Sequence, residues 1–316
     1  MTAVRSYQSG DIAALVTTWN QILVHDPVNQ ERFAASILCD PNMEAEGFSV
    51  IPEAGGIAAF AYASVRRRTF SEEGAAERDV GWINAFGVHP VRRRQGLGAQ
   101  CMEAAFAYLR LKGCHTIRVG AFVPYYIAPG VDLEAYPAAG EFLLALGFQR
   151  ESELVSMQAS LLHFTVPPDV ETVQSRLLEA GVQFEALTAD FLLDLLNFIR
   201  RNFQADAAQV IQNALRNGGR MSQIFIAREN RAVIGYCMYG LYDGNLERFG
   251  PFGVRADQRR RNVGKVLLYR CMEAMQAQGL RTVWFKSASE ASPAAQLYRR
   301  AGFQTVRRFH TFSKPL

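Results

Sequence analysis

Residues 91–100 read VRRRQGLGAQ and set three arginines just before a Gly-x-Gly. Such a run has three uses. It can be a solvated surface, a basic patch against nucleic-acid phosphates, or a cradle for one small phosphate ligand. Glycine favours the last, because it reaches positive φ and lets a ligand approach the backbone closely. The readings separate on what flanks the run, since unpaired N–H groups gather at the first turn of a helix.

The same junction occurs twice. Residues 83–98 read INAFGVHPVRRRQGLG and residues 249–264 read FGPFGVRADQRRRNVG. Setting Val88 on Val254 places Phe86 on Phe252, Gly87 on Gly253, Arg93 on Arg259, Arg94 on Arg260 and Gly98 on Gly264, at an offset of 166 residues. Gly113 and Gly279 match at that offset, and FLLALGF (142–148) meets LYRRAGF (297–303) at an offset of 155. The first copy therefore carries about eleven extra residues between the two blocks. Two ordered blocks at similar spacing predict two copies of one domain.

The surrounding pattern predicts the same element order in each copy. In the first, AVRSYQ reads as a strand, SGDIAALVTTWNQIL as a helix with Ser9 or Asp11 near its N-cap, and NQERFAASILC as a short helix. EGFSVIPEAGGIAAFAYASVRR reads as a hairpin turning at Gly55-Gly56, and VGWINAFGV as a strand entering the arginine loop. GLGAQCMEAAFAYLRLKG is a helix, HTIRVGAFV a strand and PAAGEFLLALGF a helix. The second copy repeats this, with a hairpin turning at Glu229-Asn230 and a last strand FQTVRRFHTF. The expected division is 1–160, a linker helix within 161–181, and 182–316. The fold class is α/β with a mixed (α+β) sheet, in tandem.

Each loop thus joins a strand to a helix N-terminus, where the dipole and free N–H groups bind anions. Gly96 and Gly98 open the first loop; in the second, Asn262 replaces the first glycine and Gly264 the second. Asparagine tolerates the left-handed region, so the turn can survive. The constellation resembles the acetyl-CoA loop of the GCN5-related N-acetyltransferase (GNAT) superfamily, Arg/Gln-x-x-Gly-x-Gly/Ala. It stands here as Arg93-Arg94-Gln95-Gly96-Leu97-Gly98 and as Arg259-Arg260-Arg261-Asn262-Val263-Gly264. The family's later pattern A-x-x-L-Y-x-x-x-G-F is matched by Ala294 to Phe303. The tandem layout is similar to that of mycothiol synthase.

The resemblance implies transfer of an acetyl group from acetyl-CoA to an amine by direct attack, with no metal and no covalent nucleophile. It implies thioester contacts from the strand segments Phe86–Val88 and Phe252–Val254. It makes Tyr298 the group that protonates or hydrogen-bonds the leaving thiolate, and sets Leu143, which cannot, at that place in the first copy. Tyr125, Tyr126 or Tyr136 in the extra segment could substitute. A carboxylate is the usual base for an amine of pKa ~10.4. Glu247 is the first candidate, Glu290 and Asp243 follow, and Gly81 with nearby Asp79 holds that place in the first copy. With the matched tyrosine, the second copy is expected to carry the chemistry.

Composition bounds the rest. A hydrophobic fraction of 49%, a charged fraction of 20% and 316 residues suit two domains with full cores. The net charge of +4 can attract an anionic ligand but does not argue for nucleic acid. Five cysteines without a CxxC pair, five scattered histidines and no long apolar run predict a reduced cytoplasmic protein without signal peptide, membrane span or metal site. The expected acceptor is a small-molecule or peptide amine, its identity and the oligomeric state being unread. A non-catalytic acyl-CoA-binding module is the rival class.

Overall fold

The computed structural model describes residues 3–66, 77, 79–122, 126–203, 206–242 and 244–316. The chain divides into two compact units, Met1–Leu154 with Arg308–Leu316, and Val155–Arg307.

In the first unit the strands are β1 (Arg5–Ser6), β2 (Phe48–Glu53), β3 (Gly56–Val65), β4 (Val80–Val88) and β5 (Thr116–Val119). The start of β6 (Gln149–Ser160) and the end of β12 (Gln304–Pro315) join them. The order runs β1-β2-β3-β4-β5-β12, antiparallel except for the parallel β4–β5 pair. One face carries α1 (Ile12–Ile22) and α2 (Gln30–Phe33), with Trp19, Phe33, Phe48 and Phe60 buried between them and the sheet. The other face carries α3 (Leu97–Leu111) and α4 (Pro137–Ala145), over Met102, Ala105, Phe106 and Leu109. Fully burying each Phe, Leu or Met side chain here is worth about 1.5–3 kcal/mol, and this two-sided packing fixes the sheet on which the site is built.

The second unit repeats the pattern. An antiparallel sheet runs in the order β10 (Phe249–Val254), β9 (Ala232–Tyr239), β8 (Ile224–Glu229), β7 (Val182–Ala186). β11 (Thr282–Ser289) meets the β10 segment through a parallel bridge between Arg248 and Trp284. α6 (Ala189–Asn202) and α7 (Asp206–Arg216) cover one face, α8 (Val263–Ala277) and α9 (Pro293–Arg300) the other. The expected linker helix forms as α5 (Pro168–Glu179) and packs on α8: Leu177 is buried in the α8 core, Lys265 pairs with Asp169, and Arg270 Nε donates to Gln174 at 3.1 Å. It is thus a helix of the second unit.

Asp11 occupies the N-cap of α1 as expected, its carboxylate pairing with Arg5 at 2.7 Å. The structure departs from the sequence reading in three places. β5 stops at Val119 rather than running to Val123, because Gly120 (φ 89°) and Ala121 (φ 60°) turn the chain away. β6 was not expected, its first half being a charged run without alternation. Finally, Arg308–Leu316 belongs with the first unit, where Phe312 opposes Val119 and is fully buried.

Candidate active site

The geometry of the site follows from where strands stop pairing. β4 and β5 are hydrogen-bonded neighbours only over Val80–Ile83 and Thr116–Val119. Beyond Ile83, β4 continues to Val88 and pairs with β3 alone, while β5 has turned off at Gly120. That turn is close-packed: a Cβ at Gly120 would meet Pro129 O and Gly130 Cα at 2.7 Å. The two parallel strands therefore splay.

A bulge sets what faces the gap. Tyr62 opposes Ala85 and Ala63 opposes Ile83, which leaves Asn84 as the extra residue of β4. One inserted residue reverses the alternation of faces. Before it, a Cβ on Gly81 would point at Leu109 of α3; after it, Gly87 points at Ile22 of α1 instead, and Phe86 and Val88 turn to the α3 side. The Asn84 amide is anchored by donating from Nδ2 to Ser64 Oγ at 2.7 Å.

The arginine loop closes the splayed end. Arg94 (φ 62°) and Gly96 (φ 78°) are left-handed, and α3 begins at Leu97 with no side chain capping it. Its first N–H groups have no partner within the helix. Gly98 is packed against the strand: a Cβ there would lie 3.1 Å from Val88 Cγ2 and 3.3 Å from Phe142 Cζ. A cavity of about 790 Å³ occupies the splay, lined by Phe86, Val88, Arg93, Arg94, Gly96 and Gly98 on the loop side and by Trp19, Ile22, Asp26, Asn84 and Tyr136 on the other. Gln95 is exposed on the same loop. Leu143 is fully buried in the core beneath α4. Of the tyrosines considered as substitutes, Tyr136 reaches the cavity, Tyr126 is not among its lining residues, and Tyr125 lies outside the described residues.

The second loop has the same backbone. Arg260 (φ 68°) and Asn262 (φ 67°) take the left-handed places of Arg94 and Gly96. Val266 N donates to Asn262 O at 3.2 Å as Gln100 N does to Gly96 O at 3.1 Å. Phe303 N and Phe148 N each reach back to the carbonyls of Tyr298 and Leu143 at 3.0 Å, so the offset of 155 also holds in the hydrogen bonds. A Cβ at Gly264 would lie 3.0 Å from Phe252 Cζ and 3.3 Å from Val254 Cγ2, against the strand valine that matches Val88 behind Gly98. Arg259 and Arg260 are exposed, whereas Arg261 is tied to Glu229 at 2.8 Å.

The two catalytic candidates of this copy are not drawn to one open point. Tyr298 is 6% exposed, its ring 4.5 Å from Phe285, 5.5 Å from Phe303 and 6.0 Å from both Phe249 and Phe252. Burial among these rings pushes its phenol well above the usual range. Glu247 sits where β10 and β11 still touch: its carbonyl accepts from Trp284 N at 3.0 Å and its carboxylate from Thr282 N at 3.2 Å. Its carboxylate thus caps the paired end of the strands. Glu290 pairs with Arg299 at 2.5 Å, and Asp243 lies outside the described residues. Among the described residues no cluster of His, Cys, Asp and Glu could hold a metal, and no helix is long and apolar enough to cross a membrane.

A splayed parallel pair beside a bulged strand, closed by a left-handed loop and a helix N-terminus, and built twice, is a tandem GNAT architecture. Residues 15–128 match the acetyltransferase (GNAT) family and residues 220–305 the acetyltransferase (GNAT) domain. The chain belongs to this family of N-acetyltransferases. It is 27% identical over 266 residues to a mycothiol acetyltransferase of Saccharomonospora viridis, covering 75% of this chain and 80% of that one. A solved GCN5-related glucosamine N-acetyltransferase region of a fungal multi-domain β-N-acetylglucosaminidase superposes at a TM-score of 0.79 with 18% identity, over 98% of this chain and 38% of that one. A tandem GNAT protein from the clavulanic acid biosynthesis pathway does so at 0.62 with 16% identity, over 99% and 98%. These two likenesses concern the fold.

Proposed function

We propose that this protein moves an acetyl group from acetyl-CoA to the amine of a small molecule, and that the first unit holds the thioester. One observation carries the assignment to that unit: its splay is a cavity of about 790 Å³ continuous with the loop of Arg93, Arg94, Gly96 and Gly98. The residues suit the cofactor. The free N–H groups of α3 and the two arginines favour a pyrophosphate, and the absence of a side chain at Gly98 keeps the loop against Val88. Acetyl-CoA supplies an activated acyl group with a thiolate leaving group. The backbone of Phe86–Val88 offers N–H groups to the carbonyl oxygen as charge develops there. The amine loses its proton, the N–C bond forms, the C–S bond breaks and the thiolate is protonated.

The relatives named for mycothiol acetylation support a small-molecule acceptor. The family relation supports a cytoplasmic setting. Tyr298, which matches the family's tyrosine, keeps catalysis in the second copy as the second reading.

Parallel substitutions separate the two. Gly98→Val and Gly264→Val each drive a side chain into the strand behind its loop. Release of free CoA thiol with a panel of primary amines is expected to fall at least a hundredfold in Gly98→Val and to stay within about threefold of the parent in Gly264→Val, on the scale of 1.4 kcal/mol per tenfold. The reverse pattern, joined by loss in Tyr298→Phe, moves the chemistry to the second unit. Tight acetyl-CoA binding without acetylation of any amine leaves a binding module.

A further inference from the structure

On the side of α1 the cavity of the first unit has a mixed wall: Trp19, Ile22 and Phe60 are apolar, and Gln21, Asp26 and Asn84 are polar. The three polar residues differ in what they still need. Gln21 is exposed, so water can serve its amide. Asp26 accepts from the Tyr136 hydroxyl at 3.0 Å. Asn84 Oδ1 is buried and, among the described residues, has no hydrogen-bond partner. A buried acceptor without a donor is costly, and native structures seldom keep one without a use.

An asparagine amide can turn end for end, so something must hold the oxygen in the unsatisfied place. A chain of buried hydroxyls does so. Ionised, Asp40 only accepts, and Asn42 N and Nδ2 donate to its Oδ1 at 2.8 and 3.2 Å. Tyr62 donates its one hydrogen to Asp40 Oδ2 at 3.5 Å, and its oxygen accepts from Ser64. Ser64 has then spent its hydrogen and can only accept; Asn84 Nδ2 donates to its Oγ at 2.7 Å. The oxygen of Asn84 is what remains. Turning the amide round would set its oxygen against the Ser64 oxygen. Asp40, Tyr62 and Ser64 are all buried, so no solvent interrupts the chain.

The chain also fixes a side of the sheet. Tyr62 packs in the α1 core, while Ala61 and Ala63 pack in the α3 core. By that alternation Ser64, and Asn84 bound to it, stand on the α1 face. The arginine loop and α3 lie on the other. A cofactor held by the loop fills the splay from the α3 side and leaves the α1 side to the amine. A neutral amide oxygen there takes an N–H hydrogen without favouring the ammonium form as strongly as a carboxylate would. The nitrogen lone pair stays available for the thioester.

We propose that Asn84 positions the acceptor in the first unit, Oδ1 taking one N–H hydrogen of the amine, and that Asp40, Tyr62 and Ser64 act through it by keeping the oxygen, not the NH2, in that place. This rests on the reading that the first unit transfers the acetyl group. The oxygen has no open surface of its own. Beyond Ile83, β4 is paired on one side only, by β3, so the bulge yields enough for the amine to meet it.

The test uses the full-length protein and free-thiol release, with n-butylamine, spermidine and glucosamine as acceptors. Asn84→Leu keeps the size of the side chain without its oxygen. It is expected to raise KM for the reacting amines about tenfold, while KM for acetyl-CoA stays put. Asp40→Asn tests the chain from its far end. Its new amide donates to Tyr62, Tyr62 then donates to Ser64, and Ser64 to Asn84, which turns its NH2 into the place of the oxygen. KM for the amine is expected to rise as in Asn84→Leu, in a protein at least as stable as the parent at pH 7. Ser64→Ala frees the amide to turn and gives a smaller rise. A merely structural chain predicts the opposite for Asp40→Asn, a stable protein with the parent's KM, and that result overturns the inference while acetyl transfer stands. Loss of acceptor use only in variants with a lowered melting temperature overturns it as well. No thiol release with any of these amines removes the acetyl-transfer reading and the inference together.

Discussion

Asp40 is a carboxylate taken almost wholly out of water. It is 4% exposed, accepts from Asn42 N at 2.8 Å and Asn42 Nδ2 at 3.2 Å, and meets the Tyr62 hydroxyl at 3.5 Å. Burial raises its pKa from 3.8 to about 6; the hydrogen bonds and the more distant Arg66 pull the other way and lose. The folded value lies above the unfolded one, so the folded state holds the extra proton. Stability from this group is full below about pH 4 and is lost as pH rises through about 6, by about 3 kcal/mol in all. Asp40→Asn keeps an acceptor for Asn42 and cannot ionise. Urea unfolding of both proteins at pH 4 and pH 7 is expected to show the asparagine variant gaining on the parent by up to about 3 kcal/mol. Curves that stay parallel over that range would falsify it. This burial illustrates why side-chain roles were only partly legible. The sequence offered Tyr298 and Glu247 as types able to move protons, but not that four rings would enclose the first or that a strand end would claim the carboxylate of the second. Asp26 carried no pattern at all. It joins Tyr136 through a loop fold that no local spacing encodes.

At the scale of elements, the two loops form a natural comparison. Both place left-handed residues two apart, Arg94 and Gly96 in one and Arg260 and Asn262 in the other. This was readable beforehand, because a strand, a turn and an apolar helix pattern are local properties and asparagine tolerates the left-handed region. The substitution is therefore expected to be a near-equivalent. Asn262→Gly should change stability by no more than about 0.5 kcal/mol, while Asn262→Val should cost about 1–2 kcal/mol, the price of a β-branched residue at positive φ. Chemical unfolding measures both, and equal midpoints for Val and Gly would mean the left-handed turn is not populated in solution. The bulge at Asn84 was not readable in the same way. Nothing in INAFGV marks which residue is extra; the pairing with β3 decides it, and with it which side chains line the splay. The length of β5 was misjudged for a related reason. GAFV has the composition of a strand, and the close contact of Gly120 with Pro129 and Gly130 turns it aside.

At the scale of the whole molecule, repetition announced two domains, but not where one ends. The similarity blocks predicted a first domain of residues 1–160, complete in itself. The first compact unit instead takes its strand beside β5 from the other end of the chain, with Phe312, Ser313, Lys314 and Pro315 opposite Val119, Arg118, Ile117 and Thr116. Strand pairing between segments some two hundred residues apart leaves no local trace, and FQTVRRFHTF, following the second copy's last helix, reads as that copy's last strand. The consequence is measurable. A fragment of residues 1–160 lacks Phe312, which is fully buried in the α3 core, and a Phe→Ala change at such a site alone costs about 3–5 kcal/mol. It also leaves β5 as an unpaired edge next to the splay. Against a typical domain stability of about 5–15 kcal/mol, these losses are expected to leave the fragment without a cooperative thermal transition by circular dichroism and prone to association through that edge. A synthetic peptide of residues 304–316 added in trans is expected to restore a transition, with half-saturation at a definite peptide concentration. The same peptide with Phe312→Ala should not. If the fragment melts cooperatively by itself and the peptide does not shift its midpoint, the C-terminal strand is dispensable to the first unit, and the boundary read from the repeat is the physical one.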